Sequence, residues 1–230
     1  MTVILALDTS TEACSCALSI DGAVHERYVV APQQHAALIL PTIDALLREH
    51  ALSVDRLDAI AWGRGPGSFT GLRIAAGVTQ GLAFAANLPV VSVSTLAALA
   101  LEAWLATQQT YVLACLDARI DEVYWGLFEI RDGLPVAIGE EQLCKPEAIP
   151  ADCLGGAGPW VVAGNGLAYG PRFPAAVMAR AHQMQPELLP RAGHMATIAT
   201  AAYKRRETVA AEQVRPVYLR DKVTYNYKQS

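Results

Sequence analysis

Hydrophobic positions run unbroken from Val3 to Leu7, stop at Asp8-Thr9-Ser10, and resume as a strand-like run from Cys14 to Ile20 that closes on Asp21-Gly22. In mid-chain the succession returns: an apolar run ends in Leu116-Asp117-Ala118-Arg119, Val123 to Ile130 comes next, and Asp132-Gly133 closes it. An uninterrupted apolar run of strand length suits a central strand covered on both faces. Asp-Gly between two such runs signals a two-residue hairpin. A unit of strand, acidic turn, strand and hairpin used twice predicts a duplicated α/β fold in which each half offers an acidic turn to a central cleft. In enzymes built this way the cleft holds a nucleotide.

Between the two units, Ala23 to Val30 reads as a returning strand, Gln33 to Arg48 as a helix and Asp58 to Trp62 as a short strand. Ser68 to Ala86 reads as a second helix, Pro89 to Val93 as a strand and Ser94 to Leu105 as a third helix. Three meandering strands and then helix, strand, helix, strand is the order of a ribonuclease-H-like half-fold. The second half repeats only its beginning clearly. Its remainder predicts a short helix over Pro146 to Cys153, a turn over Gly155 to Pro159, a strand over Trp160 to Ala163 and a helix over His194 to Arg206. The polar stretch Thr107 to Thr110 marks the boundary between an N-terminal lobe, 1–106, and a reduced C-terminal lobe with an extended tail, 107–230.

The first two helices have unusual faces. Ala36, Ala37, Leu38, Ile39, Leu40, Ile43, Ala45, Leu46 and Leu47 wrap most of one circumference, and Pro41 is expected to kink that helix. A helix apolar nearly all round wants cover on two sides. The other carries Gly77 and Gly81 in its interior, each costing about 1 kcal/mol relative to Ala, which close approach of another backbone offsets. Such helices form one side of a helix-on-helix interface, or else both lie inside the lobe.

The strongest local motif is Gly63-Arg64-Gly65-Pro66-Gly67-Ser68-Phe69-Thr70-Gly71-Leu72-Arg73. Pro66-Gly67 suits the centre of a type II turn, and Ser68 can cap the next helix. A helix start flanked by Arg64 and Arg73 can hold a phosphate, yet the Walker pattern is absent and such a turn also serves as a plain strand-to-helix connector. Asp8 and Asp117 are the candidate remnants of a cleft; each also suits a turn residue bonding its own backbone. The five histidines show no pair at i, i+4, so no zinc spacing is present.

With 230 residues, 53% apolar and 17% charged, the chain can bury a sizeable core. A formal charge of -4 argues against unaided grip on nucleic acid, which needs clustered cations. Five cysteines without a Cys-x-x-Cys pair favour a reducing compartment. With no basic leader region and no run near the ~18 apolar residues of a span, a cytoplasmic protein without membrane contact is expected. The tail interleaves Arg215, Arg220, Lys222 and Lys228 with Tyr218, Tyr225 and Tyr227. It can touch RNA, but the expectation is that Pro216 to Leu219 docks back on the protein.

Several segments carry a resemblance: Leu7 to Ala13, the Gly63 to Arg73 motif, Pro89 to Leu99, Leu116 to Tyr124, and Pro216-Val217-Tyr218-Leu219-Arg220. In this order they look like the bacterial TsaB (YeaZ) family, densest over the first hundred residues and thin from Pro146 to Gly193. That family resembles its partner TsaD, of the duplicated actin-like ATPase fold. Where TsaD has a metal-binding His-x-x-x-His pair, this chain has Thr95 and Leu99. Val161 to Gly166 resembles the adenosine-side glycine turn of TsaD, with Asn165 in place of a second Gly. Phosphate loops of nucleotide-binding relatives need Gly just after the acid, and here Thr9-Ser10 and Ala118-Arg119 stand there.

The resemblance implies a retained fold with a lost active site. It implies no catalytic residue, no metal and no cofactor, and a residual cleft at Asp8, Ser10, Asp117 and Gly164. The implied role is a non-catalytic subunit in forming N6-threonylcarbamoyladenosine at position 37 of tRNAs reading codons that begin with A. TsaD is bound through His35, Leu38, Ile39, Thr42, Leu46, Thr70, Arg73, Ile74, Gly77, Val78 and Gly81. TsaE joins that pair, the chain alone forms a homodimer through the same surface, and tRNA is met only indirectly. The competing reading is an enzyme in its own right, a weak nucleotide hydrolase using Asp8 and Asp117 or a protease.

Overall fold

The computed structural model describes residues 1–155 and 158–220. The first sheet contains β1 (Val3–Asp8), β2 (Ala13–Ile20), β3 (Ala23–Val30), β4 (Ala59–Gly65) and β5 (Val90–Ser94), in the order β3-β2-β1-β4-β5. The second contains β6 (Tyr111–Arg119), β7 (Glu122–Arg131), β8 (Leu134–Ala137), β10 (Trp160–Ala163) and β11 (Ala181–Gln185), in the order β11-β10-β6-β7-β8, with β9 (Gln142–Cys144) paired to β7. In both, the first three strands meander antiparallel and the last two add parallel to the first. This is the duplicated ribonuclease-H-like, actin-like architecture. Both hairpins are the expected ones: Asp21 and Gly22 have φ of 47° and 89°, Asp132 and Gly133 of 50° and 74°, the left-handed pair such a turn requires.

The second half repeats more than its beginning. Its five-strand order matches the first strand for strand, and the reduction lies in the connections. The first half carries α1 (His35–Glu49) and α2 (Phe69–Ala86), of 15 and 18 residues. The second makes do with 3-10 turns at Pro146–Ala148 and Asn165–Arg172 and the six-residue α4 (Ala175–Arg180). The helix expected over Pro146 to Cys153 is only that single 3-10 turn, because Pro150 cannot continue it. Trp160–Ala163 is the strand expected, whereas β11, Ala-His-Gln-Met-Gln, is mostly exposed and has no apolar run to announce it.

The residues of β1 alternate between two cores. Val3, Leu5 and Leu7 join Ile39, Ile43, Leu46 and Trp62 beneath α1 and α2. Ile4 and Ala6 join Ala192, Met195, Ala196 and Ala199 of α5 (Ala192–Lys204). Burial on both faces is why β1 reads as uninterrupted apolar sequence. The halves also exchange helices. From the first half, α3 (Thr95–Thr107) lays Leu96, Leu99, Ala100 and Ala103 on Val112, Ala114, Leu116 and Phe128 of the second sheet, while α5 of the second half covers the first sheet. Among the described residues, no helix is long and apolar enough to cross a membrane.

Candidate functional site

The turn after β1 presents Asp8, which is wholly buried. Its Oδ2 accepts from Ser10 N at 3.3 Å and Ser10 Oγ at 2.9 Å, while Oδ1 has no partner among the described residues. Oδ1 lies against Gly63, where a Cβ would come within 2.1 Å of it. Burial pushes this carboxyl up to about 7, with the Ser10 hydrogen bonds opposing. Burial thus favours the protonated form of this carboxyl well above the usual carboxylate range.

Asp117, at the matching place in the second half, is satisfied locally. Its Oδ1 accepts from Arg119 N at 2.7 Å and Tyr169 Oη at 3.3 Å, its Oδ2 from Arg119 Nη1 at 3.1 Å, and its own N–H donates to Asn165 Oδ1 at 2.9 Å. Gly164 has φ of 107°, and a Cβ there would meet the Cys115 carbonyl oxygen at 2.2 Å. Close approach of the chain's own β6, with no ligand needed, accounts for that glycine. Glu12 then joins the two turns, accepting from Arg119 Nη2 at 2.9 Å and Asn165 Nδ2 at 3.3 Å. Among the described residues no three His, Cys, Asp or Glu side chains gather as a metal would need. Thr95 and Leu99, at the start of α3, are fully buried.

The glycine-rich motif works as a connector. Ser68 caps α2, its Oγ accepting from Gly71 N at 3.4 Å, and Ser68 N donates to the Ser10 carbonyl at 2.7 Å. Ser10 and Thr9 thus occupy the helix start where a phosphate would sit. The type II turn expected at Pro66-Gly67 is not formed. The left-handed residue is Gly65, with φ of 107°. Gly67 serves instead to bring the backbone near Ser10, whose carbonyl oxygen would lie 2.6 Å from an added Cβ. Arg64 reaches Glu141 at 3.4 Å, and Arg73 lies 3.8 Å over the Phe69 ring.

The proposed partner residues divide by side of helix. His35, Ile39 and Leu46 are a correction: they stand on the sheet-facing stripe of α1 and are buried, His35 Nε2 sitting 3.2 Å from the Ala13 carbonyl. An all-round apolar helix leaves open which side meets the sheet, and these spacings of four and seven are the inward ones. Leu38 and Thr42 are half-buried. On α2, Thr70, Arg73, Gly77 and Gly81 are exposed and Ile74 and Val78 half-buried. A Cβ at Gly77 or Gly81 would meet nothing within 4 Å. Leu40, Phe69 and Phe84, 50%, 46% and 72% exposed, are apolar surface residues of the same two helices that the expected partner residues did not include. Phe84 lies seven residues after Gly77 and three after Gly81, helical spacing that would have found it. As expected, Pro216 to Leu219 docks back, Val217 N donating to the Arg64 carbonyl at 2.8 Å. Lys222, Tyr225, Tyr227 and Lys228 lie outside the described residues.

Comparison with known proteins gives a consistent picture. The family model described as "TsaD: tRNA N6-adenosine threonylcarbamoyltransferase" matches residues 24–224. The chain is 41% identical over 226 residues to the tRNA threonylcarbamoyladenosine biosynthesis protein TsaB of Escherichia coli (strain K12), covering 96% of each. It is 38% identical over 231 residues to TsaB of Haemophilus influenzae (strain ATCC 51907 / DSM 11121 / KW20 / Rd), covering 96% of this chain and 95% of that one. Among solved structures, YeaZ from Pseudomonas aeruginosa has a TM-score of 0.90 and 45% identity, covering 95% of this chain and all of that one.

Proposed function

Since the chain belongs to the TsaB family of tRNA threonylcarbamoyladenosine biosynthesis proteins, we propose that it is the non-catalytic subunit that binds TsaD and, with TsaE, supports transfer of the threonylcarbamoyl group to N6 of adenosine 37. The observation that carries this is the outer face of α2, where Gly77 and Gly81 leave open space between Phe69 and Phe84. A helix pair from another protein can approach such a stripe closely, and burying the aromatic ends supplies the apolar area. In this reading residues 1–106 carry the partner face and 107–230 form the second lobe. The chain works in the cytoplasm, pairs with itself through the same face when alone, and meets tRNA only through its partner.

The cleft supports a non-catalytic role. Asp117 is neutralised by Arg119, Glu12 ties the two turns, and Thr9 and Ser10 fill the helix start. Reconstitution of tRNA modification from purified components, with and without this chain, is the test. Loss of modified tRNA in its absence is expected, together with no heat of ATP and Mg²⁺ binding to the chain alone in a calorimeter. Full modification without it would overturn the proposal, and specific nucleotide binding followed by hydrolysis would favour an enzyme using Asp8 and Asp117.

A further inference from the structure

Beyond α5 the chain returns to the first half and then crosses to the second. Ala211 and Val214 are buried in the core beneath α2, and Gln80 Nε2 donates to the Val214 carbonyl at 3.0 Å. From there the backbone follows the helix from Gln80 toward its first turn. Val217 N bonds the Arg64 carbonyl, and the Tyr218 ring lies 5.4 Å from that of Phe69, its Oη accepting from Arg73 Nε at 3.4 Å. Arg220 then leaves α2. Its guanidinium donates to the carbonyls of Ala118 at 3.1 Å and Arg119 at 3.4 Å and to the Glu122 carboxylate, at the ends of β6 and β7 that flank their connecting turn.

That turn is unusual in itself. Arg119, Ile120 and Asp121 have φ of 63°, 54° and 57°, three successive left-handed residues without a glycine, one of them β-branched. Such a conformation persists only where its surroundings over-determine it. Among the described residues, its other side-chain ties are the Asp117 carboxylate, which accepts from the Arg119 N–H at 2.7 Å and from the Arg119 guanidinium, Arg119 to Glu12, and Asp121 to Arg172 at 3.1 Å; the Arg119 and Asp121 side chains are themselves well exposed. Arg220 is only 17% exposed at its side chain and grips the backbone itself.

We propose that residues 214–220 are a strap that couples the exposed face of α2 to the left-handed turn between β6 and β7. A protein seated on the first turns of α2 covers Phe69 and Tyr218, about half-exposed in the free chain, and so holds Tyr218 in place and Arg220 in the turn. By linkage, a seated Arg220 favours that docking equally. The inference rests on the reading of α2 as the partner face.

Hydrogen exchange on the full chain, free and with TsaD, tests it in the wild type and in Arg220→Ala. In the free variant, exchange over residues 117–124 is expected to quicken about tenfold or more while β1 and β4 stay unchanged. In the wild type, TsaD slows exchange both in α2 and over 117–124; in the variant it slows α2 alone. Equal exchange over 117–124 in the two free chains, or protection of α2 by TsaD without protection of the wild-type turn, overturns the strap. Absence of protection at α2 itself counts against the partner-face reading, and with it against the coupling. Should the alanine variant lose its fold, Arg220→Lys, which keeps the charge but not the forked donors, gives the same comparison.

Discussion

The carbonyl oxygen of Thr9 lies 1.8 Å from where a Cβ on Gly71 would stand, and Thr9 Oγ1 donates to the Gly71 carbonyl at 2.7 Å. The first turn of α2 is thus seated directly on the acidic turn after β1. Gly71→Ala must push the two apart and is expected to cost about 3 kcal/mol. Gly77→Ala, on the open face of the same helix, is expected to gain up to about 1 kcal/mol from helix propensity. Urea denaturation of the two variants should therefore show midpoints displaced in opposite directions from the wild type.

Gly77→Leu separates folding from partnership. Gly77 is exposed and nothing lies within 4 Å of a Cβ there, so the isolated chain should keep its stability within about 1 kcal/mol of the wild type. Across a close helix packing the same side chain blocks approach. Gel filtration with TsaD should show the two proteins eluting apart, whereas co-elution of the folded variant would show that Gly77 has another role.

Asp8 makes stability fall as pH rises. Its folded pKa, about 7, exceeds the ordinary 3.8, so between these values the folded state holds a proton that the unfolded chain has lost, and stability drops until pH passes 7. With the gap at about three pH units, the contribution lost between pH 5 and pH 8 is about 3 kcal/mol. Asp8→Asn, which cannot ionise, should flatten that part of the profile and gain on the wild type at pH 8 relative to pH 5. Parallel profiles for the two proteins, measured by urea titration at each pH, would contradict the assignment.

Shortening the chain distinguishes its docked segment from the last seven residues. Removing Thr224 to Ser230 should leave tRNA modification by the reconstituted complex nearly unchanged. Ending the chain at Arg215 also removes the Val217 hydrogen bond, the Tyr218 contact with Phe69 and the Arg220 ion pair. That loss should lower stability by about 2 kcal/mol. A large loss of tRNA affinity from the shorter deletion alone would assign those residues an RNA contact.

Much of this fold is local chemistry and was legible in the sequence. Asp21-Gly22 and Asp132-Gly133 announce the two hairpins because few residue pairs tolerate two successive positive φ values, and β1 announces its central position because burial on both faces leaves no polar alternation. Ser68 marks the start of α2 because its short hydroxyl side chain satisfies a free N–H there. Tertiary structure alone decided the rest. Strand β11 lies at a sheet edge with most of its side chains in solvent, so little in its sequence needs to be apolar. The inward side of α1 depends on which stripe meets the first sheet, and the exchange of α3 and α5 depends on the surfaces the two sheets leave uncovered. Asp8 reads in sequence as a turn residue; only the packing of Gly63 and its neighbours around it removes the water that would keep it charged. Arg220 reaches a turn about a hundred residues away along the chain, a contact that no periodicity encodes because the folded chain alone brings the two together.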